Sequence, residues 1–180
     1  MLFRSSKNTI KQTAEHLANG KIVGWYQGNG EVGSRALGNR SILMNPTIKN
    51  GKDILNQQVK HREWFRPFGA SILEEETENY FDWKESSPYM LYVMNIFDKE
   101  SFPSITHVDG TCRIQTVSQE LEDYYSLIEE FKKLTGIPML LNTSLNVNGK
   151  PISGHINDLD KINLDVKVVG NYVCNLGQTY

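Results

Sequence analysis

Cysteine is scarce in this chain, with only Cys112 and Cys174 among 180 residues. There is no C-x-x-C pair and no Cys/His cluster, so neither a disulfide framework nor a structural zinc site is expected. Two reduced thiols suit a cytoplasmic protein. Histidine is equally sparse: His16, His61, His107 and His155 are scattered, and nothing predicts a metal held by the chain alone. Long apolar runs are missing, and the start "MLFRSSKNTIKQ" lacks the stretch that a secretory signal needs, so neither a membrane span nor export is expected. The G-K-[ST] step of a P-loop, the dinucleotide G-x-G-x-x-G spacing and the G-x-S-x-G nucleophile elbow are all absent. A net charge of −2 argues against non-specific binding to nucleic acid or to a membrane surface.

What is present is enough chain for one domain, read here over residues 1–180, with an ordinary soluble composition of 39% apolar and 22% charged residues. Helical and extended patterns alternate. "NTIKQTAEHLANG" places Ile10, Ala14 and Leu17 on one helix face and stops at Gly20. "KIVGWY", "SILMNP", "PFGASIL", "YMLYVMNIF", "GTCRIQTVS", "IPMLLNTS" and a terminal "VKVVGNYVC" read as strands. "KDILNQQVK" reads as a short helix, and "EEETENYFDWKESSP" as an exposed acidic helix and connection. "LEDYYSLIEEFKKLTG" has the clearest helical period, through Tyr124, Leu127, Ile128, Phe131 and Leu134 to a cap at Gly136. A small helix is expected around residues 157–164. The fold class is therefore α/β, of α+β type, with a mixed sheet.

Charge is unevenly spread. Residues 31–66 carry seven cations against three anions, whereas residues 73–130 carry fourteen anions against three cations. Within the first stretch, "NQQVKHREWFRPFG" interleaves Lys60, Arg62 and Arg66 with Trp64, Phe65 and Phe68. Bulky aromatics belong in a core and cations resist burial, so a fold that buries the rings and converges the cations on a cleft satisfies both. Arginine forks match phosphate oxygens two at a time, and lysine adds a point charge. "GNGEVGSRALGNRS" adds Arg35, Arg40 and four glycines, Gly28, Gly30, Gly33 and Gly38, whose backbone can approach an anion. A second constellation, "LLNTSLNVNGKP", ends a buried strand in Asn142, Thr143, Ser144 and Asn146. Such a loop serves either as a plain turn or as a strand-end ligand site. A third, "THVDGTCRIQTV", offers His107, Asp109, Arg113 and Gln115, either as a structural His–Asp pair or as ligand-binding groups.

In this order, "GSRALGNRSIL", "NQQVKHREWFRPFGASIL", "SPYM", "THVDGTCRIQTV", "TGIPMLLNTSLN" and "GKPI" resemble the C-terminal part of the NodU/CmcH family of O-carbamoyltransferases. That domain is similar to the YrdC-like threonylcarbamoyl-adenylate synthases, a twisted α/β fold around a positively charged cleft. The resemblance implies a K-x-R pair at Lys60 and Arg62 and an S-x-N pair at Ser144 and Asn146. It implies that carbamoyl phosphate and ATP react there to give carbamoyl adenylate, phosphate and pyrophosphate, with Mg²⁺ accompanying the nucleotide. Arg35, Arg40, Arg66 and Thr143 would contact phosphate groups. An N-terminal ATPase-like domain, in cis or in trans, would bind the hydroxyl acceptor, such as a sugar or a nodulation factor. A homodimer is left open by the sequence.

Departures from the family pattern are Asn29 where Arg is common, Ser34 in place of Pro, Leu145 in place of Phe, and "SGHIND" after "GKPI". The loss of a cation at Asn29 keeps a second reading in view, a nucleotide-binding module without catalysis. An RNA-associated domain is a third, which the acidic half of the chain disfavours.

Overall fold

The apolar spacing of Ile10, Ala14 and Leu17 becomes helix α1, Thr9–Ala18, whose buried stripe faces the long helix α4, Glu122–Thr135. The computed structural model describes residues 4–5 and 8–176. Of the chain start read above for a signal, residues 1–3 and 6–7 lie outside them. Helix α4 ends as its sequence dictates: Gly136 takes the left-handed conformation (φ 77°) and donates its N–H to Lys132 O.

Among the described residues, nine strands form one mixed sheet: β1 Arg4–Ser5, β2 Val23–Tyr26, β3 Arg40–Met44, β4 Gly69–Leu73, β5 Val93–Asn95, β6 Thr111–Val117, β7 Met139–Ser144, β8 Val166–Val169 and β9 Tyr172–Asn175. Their order across the sheet is β1-β9-β8-β2-β3-β7-β4-β6-β5. Two neighbouring pairs run parallel, β2 with β8 and β4 with β6. The other neighbours run antiparallel, including β7 against both β3 and β4.

Alternation along the strands sorts the core into two layers. Leu43, Leu140, Val23 and Trp25 face α1 and α4 with Leu127 and Phe131. Ile42, Met44, Ala70, Ile72, Ile114 and Leu141 point the other way, onto Leu55, Val59 and the segments carrying Phe81, Ile105 and Leu159. Covering both faces explains why β3 and β4 are buried at every position.

Three elements differ from expectation. "KDILNQQVK" opens as a short helix α2, Gly51–Ile54, but widens into a π turn over Leu55–Val59. "YMLYVMNIF" yields only the short, half-exposed strand β5, because Met90 takes a left-handed φ of 55° just before it. "VKVVGNYVC" is a hairpin rather than one strand: Gly170 (φ 53°) turns the chain between β8 and β9. The acidic segment forms a 3₁₀ turn, Glu74–Glu76, and helix α3, Thr77–Tyr80, while the small late helix is a 3₁₀ turn, Ile156–Lys161.

Candidate functional site

The π turn delivers Lys60 to the end of β7. Lys60 N–H donates five residues back to Leu55 O, and His61 then adopts a left-handed φ of 48°. This reversal separates two neighbouring cations. Lys60 turns inward and is only 2% exposed, while Arg62 stays half-buried on a cleft wall. A non-glycine residue in this region is strained, and such strain persists where the surroundings fix it. Among the described residues His61 and Met90 are the two such cases; Met90 lines the cleft and His61 sits between two residues that do.

The Lys60 ammonium is ringed by oxygens from the S-x-N step. Nζ donates to Ser144 O (2.5 Å), Asn146 Oδ1 (2.7 Å) and Asn146 O (3.0 Å), with Ser144 Oγ at 3.2 Å. Ser144 Oγ in turn donates to Asn146 Oδ1 at 2.6 Å, and Asn146 Nδ2 donates to Lys150 O. Burial, then Arg62, pull the lysine down to about 7. The four acceptors work against that shift by favouring the charged form. Since the Ser144 hydroxyl proton is engaged by Asn146, the serine is set as a hydrogen-bonding group.

Above this junction lies a cavity of about 380 Å³. Arg35, Lys60, Arg62, Arg66 and Arg113 line it together with Asn142, Thr143, Ser144 and Asn146, and the lining contains no Asp or Glu. Arg62 Nε donates to Asn56 Oδ1 at 2.7 Å, and its guanidinium lies 4.8 Å from the Phe68 ring centre. Burial and Arg66 lower Arg62 to about 10, which leaves it charged at neutral pH. Arg66 reaches Asn148 Oδ1 at 3.5 Å and, at the exposed rim, Glu63 at 3.8 Å. Burial and Arg35 lower Arg113 as well. Like charges are thus held close together with no carboxylate in the lining and only Glu63 at the exposed rim, an arrangement that favours a bound anion.

The Arg35 loop is pinned from beneath. Gln115 Nε2 donates to Leu37 O, Asn142 Nδ2 to Ala36 O and Trp25 Nε1 to Gly38 O. Glu31 Oε1 accepts from the N–H groups of Leu37 and Asn39. Gly38 (φ 109°) admits no side chain, since a Cβ there would lie 2.3 Å from the Tyr124 ring.

Several sequence expectations are corrected. Arg40 takes no part in the lining: it is 4% exposed, stacks on Tyr26 and donates to the carbonyls of Gln27, Asn39 and Gly28. It shapes the glycine-rich loop from behind. His107 and Asp109 do not pair with each other, because Thr111 lies between them. His107 Nδ1 meets Thr111 Oγ1, and Asp109 Oδ1 accepts from the same hydroxyl. Both border a separate shallow depression with Lys52 and Phe65. Of the three aromatics only Phe68 is buried (3% exposed); Trp64 and Phe65 are 65% and 59% exposed and stack edge-on. The chain shields one ring and leaves two in solvent because the loop turns outward between Glu63 and Arg66, closed by the Arg66 N–H on Glu63 O.

The family model for the carbamoyltransferase C-terminus matches residues 14–175. The chain belongs to that family. Similar curated proteins include the nodulation protein NolNO of Sinorhizobium fredii, 42% identical over 92% of this chain and 26% of its own length. The nodulation protein NolO of Bradyrhizobium diazoefficiens is 43% identical over 85% of this chain and 29% of its own. The 3'-hydroxymethylcephem-O-carbamoyltransferase of Amycolatopsis lactamdurans is 38% identical over 79% and 28%. The chain thus spans between a quarter and a third of the length of these relatives. In fold it is similar to full-length HypF, solved in a phosphate- and nucleotide-bound form (TM-score 0.63, 20% identity, covering 91% of this chain and 25% of that one). It is also similar to Sua5 of P. abyssi, solved with L-threonine (TM-score 0.64, 15% identity, covering 89% and 46%).

Within this carbamoyltransferase domain, Met90, Asn148 and Gly149 also line the cleft, and the sequence reading did not single them out. Asn148 carried a usable signal, being two residues beyond Asn146 in a loop rich in short amides. Met90 carried none, because its place depends on the left-handed turn before β5.

Proposed function

We propose that this cleft forms carbamoyl adenylate from carbamoyl phosphate and ATP, the activating half of an O-carbamoyltransferase reaction. The observation that carries the reading is the meeting of residues 60–66 with residues 142–149 around one cavity lined by five cations and no carboxylate. Membership of the carbamoyltransferase family supports it, as does the similar fold of HypF in its phosphate- and nucleotide-bound form.

Two chemical steps are implied. Water and carbamoyl phosphate give carbamate and inorganic phosphate; a carbamate oxygen then attacks the ATP α-phosphorus, and pyrophosphate leaves. Both substrates are polyanions, so their approach needs positive charge placed in advance. Arg62, Arg66 and Lys60 hold one side of the cavity, and Arg35 and Arg113 add cations from the loop after β2 and from β6. Ser144, Asn146 and Thr143 supply short hydrogen-bonding groups for phosphate oxygens or the carbamoyl amide. Since the lining offers no carboxylate, Mg²⁺ would arrive on the ATP phosphate oxygens as part of the substrate. Transfer to a hydroxyl acceptor would fall to an ATPase-like domain, in cis or in trans.

The test is carbamoyl-phosphate-dependent exchange of labelled pyrophosphate into ATP, run on the protein together with its ATPase-like domain. Exchange is expected, and Arg62→Ala should reduce it at least 100-fold, the scale on which a lost transition-state contact acts. ATP binding with no exchange would leave a non-catalytic binding module in its place.

A further inference from the structure

Asn56 is fully buried at the start of the π turn, where an amide must find partners. The partners of its side chain and of its backbone carbonyl lie in one short segment of the cleft wall. Its Nδ2 donates to Trp64 O (3.1 Å) and Arg66 O (3.0 Å), its Oδ1 accepts from Arg62 Nε (2.7 Å), and its backbone O accepts from Arg62 N (3.0 Å). The amide orientation is unambiguous, because the opposite one would face Nδ2 toward an N–H and Oδ1 toward two carbonyls. We propose that Asn56 is the positioning residue of the cleft, fixing the plane of the Arg62 guanidinium and holding the 62–66 segment that carries Arg66. The proposal rests on the reading of this cleft as a phosphate site.

A guanidinium is a rigid planar fork. Anchoring its Nε–H on Asn56 Oδ1 and its face against Phe68 leaves little rotational freedom. Nη2 reaches Pro67 O at 3.5 Å, and Nη1 has no protein acceptor among the described residues. Two of the five N–H groups are therefore directed at the protein, and the rest remain for a ligand in the cavity. Among the described residues no carboxylate forms an ion pair with Arg62, Glu63 acting on it only through space, so a neutral amide orients the cation without cancelling its charge. That is what an anion site requires of its support. It also explains why the anchor is Asn: an Asp would neutralise the arginine and repel two carbonyl oxygens.

A double-mutant cycle on the protein with its ATPase-like domain tests this, with inorganic pyrophosphate as the binding probe and KM and kcat of exchange as the second readout. Asn56→Ala should weaken pyrophosphate binding on the order of 10-fold, as misplaced binding groups do. In an Arg62→Ala background the same change should cost clearly less than it does in wild type, because only its hold on the segment carrying Arg66 then remains. Costs that simply add across the cycle would make Asn56 a structural residue and overturn the proposal. Arg62→Lys, which leaves Asn56 intact and spares the fold, gives an independent arm. It keeps the charge but not the anchored fork, so it should bind nearly as weakly as Arg62→Ala; wild-type affinity in Arg62→Lys would overturn the proposal too. If the unaltered protein fails to bind pyrophosphate at all, the phosphate reading itself falls and takes this proposal with it, an outcome distinct from additivity.

Discussion

Lys60 and Arg62 are two residues apart and chemically alike, yet the fold gives them different work. Lys60 is a buried knot between the π turn and the end of β7, with four oxygens around its Nζ. Arg62 stands on the cleft wall with an amide behind it. Cutting the knot empties a buried lysine site, strips Asn146 O of its donor and leaves Ser144 O and Asn146 Oδ1 with one donor each, whereas cutting the wall leaves one amide oxygen. Lys60→Ala should therefore cost on the order of 3 kcal/mol of stability in urea unfolding, and Arg62→Ala roughly 1 kcal/mol. The sequence alone suggests that both cations contribute little to packing; burial changes that for Lys60. The same burial makes stability depend on pH. A lysine held near 7 in the folded chain and near 10.5 in the unfolded one lets the unfolded state bind more protons between those values. Unfolding free energy should accordingly rise from pH 7 to pH 9, on the order of 1 kcal/mol more in wild type than in Lys60→Met. Parallel profiles for the two proteins would show that the oxygens around Nζ hold the lysine charged throughout that range.

The π turn, the end of β7 and the Arg35 loop are the elements that build the cleft, and they were unequally legible. β7 and the basic turn announced themselves: an apolar run ending in "NTS", and cations at a spacing no core element tolerates. The meeting of Lys60 with Ser144 was not readable from spacing, because it depends on β7 pairing with both β3 and β4 in the middle of the sheet. Nor was the inward turn of Arg40, whose carbonyl partners belong to the loop it precedes in space and follows in sequence. The two exposed rings, Trp64 and Phe65, show the limit of composition: an aromatic next to a cation does not say which of the two the chain will shield. For the Arg35 loop, Glu31 carries the tension, since a single carboxylate oxygen accepts two backbone N–H groups. Glu31→Ala should leave overall stability within about 2 kcal/mol of wild type. It should also speed amide hydrogen exchange at Leu37 and Asn39 and raise the KM for exchange, because Arg35 would no longer be held against the cleft. Unchanged protection at those two amides would mean that Gln115, Asn142 and Trp25 suffice to hold the loop.

Across the whole molecule, charge is partitioned rather than balanced. The cations of residues 31–66 supply four of the five cleft cations, and the anions of residues 73–130 dominate the segments beyond them, including the 3₁₀ turn at Glu74–Glu76. A short polyanion gains from the cleft and is too small to feel the acidic surfaces at any distance beyond a Debye length, about 8 Å at physiological salt. A long one must extend beyond the five cations that line the cavity. The net charge of −2 gives it no compensating attraction elsewhere. Ligand length thus separates a nucleotide site from a nucleic-acid surface within the same cationic wall. At 0.15 M salt, pyrophosphate and ATP should bind saturably and weaken as salt rises, with Arg35→Ala flattening that dependence. A labelled 20-nucleotide RNA should show no saturable anisotropy change under the same conditions. Tight RNA binding whose logarithm falls steeply with the logarithm of salt concentration would instead mean that several cations contact a continuous phosphate backbone. The exposed Trp64 and Phe65 would then need to be understood as a stacking platform for bases.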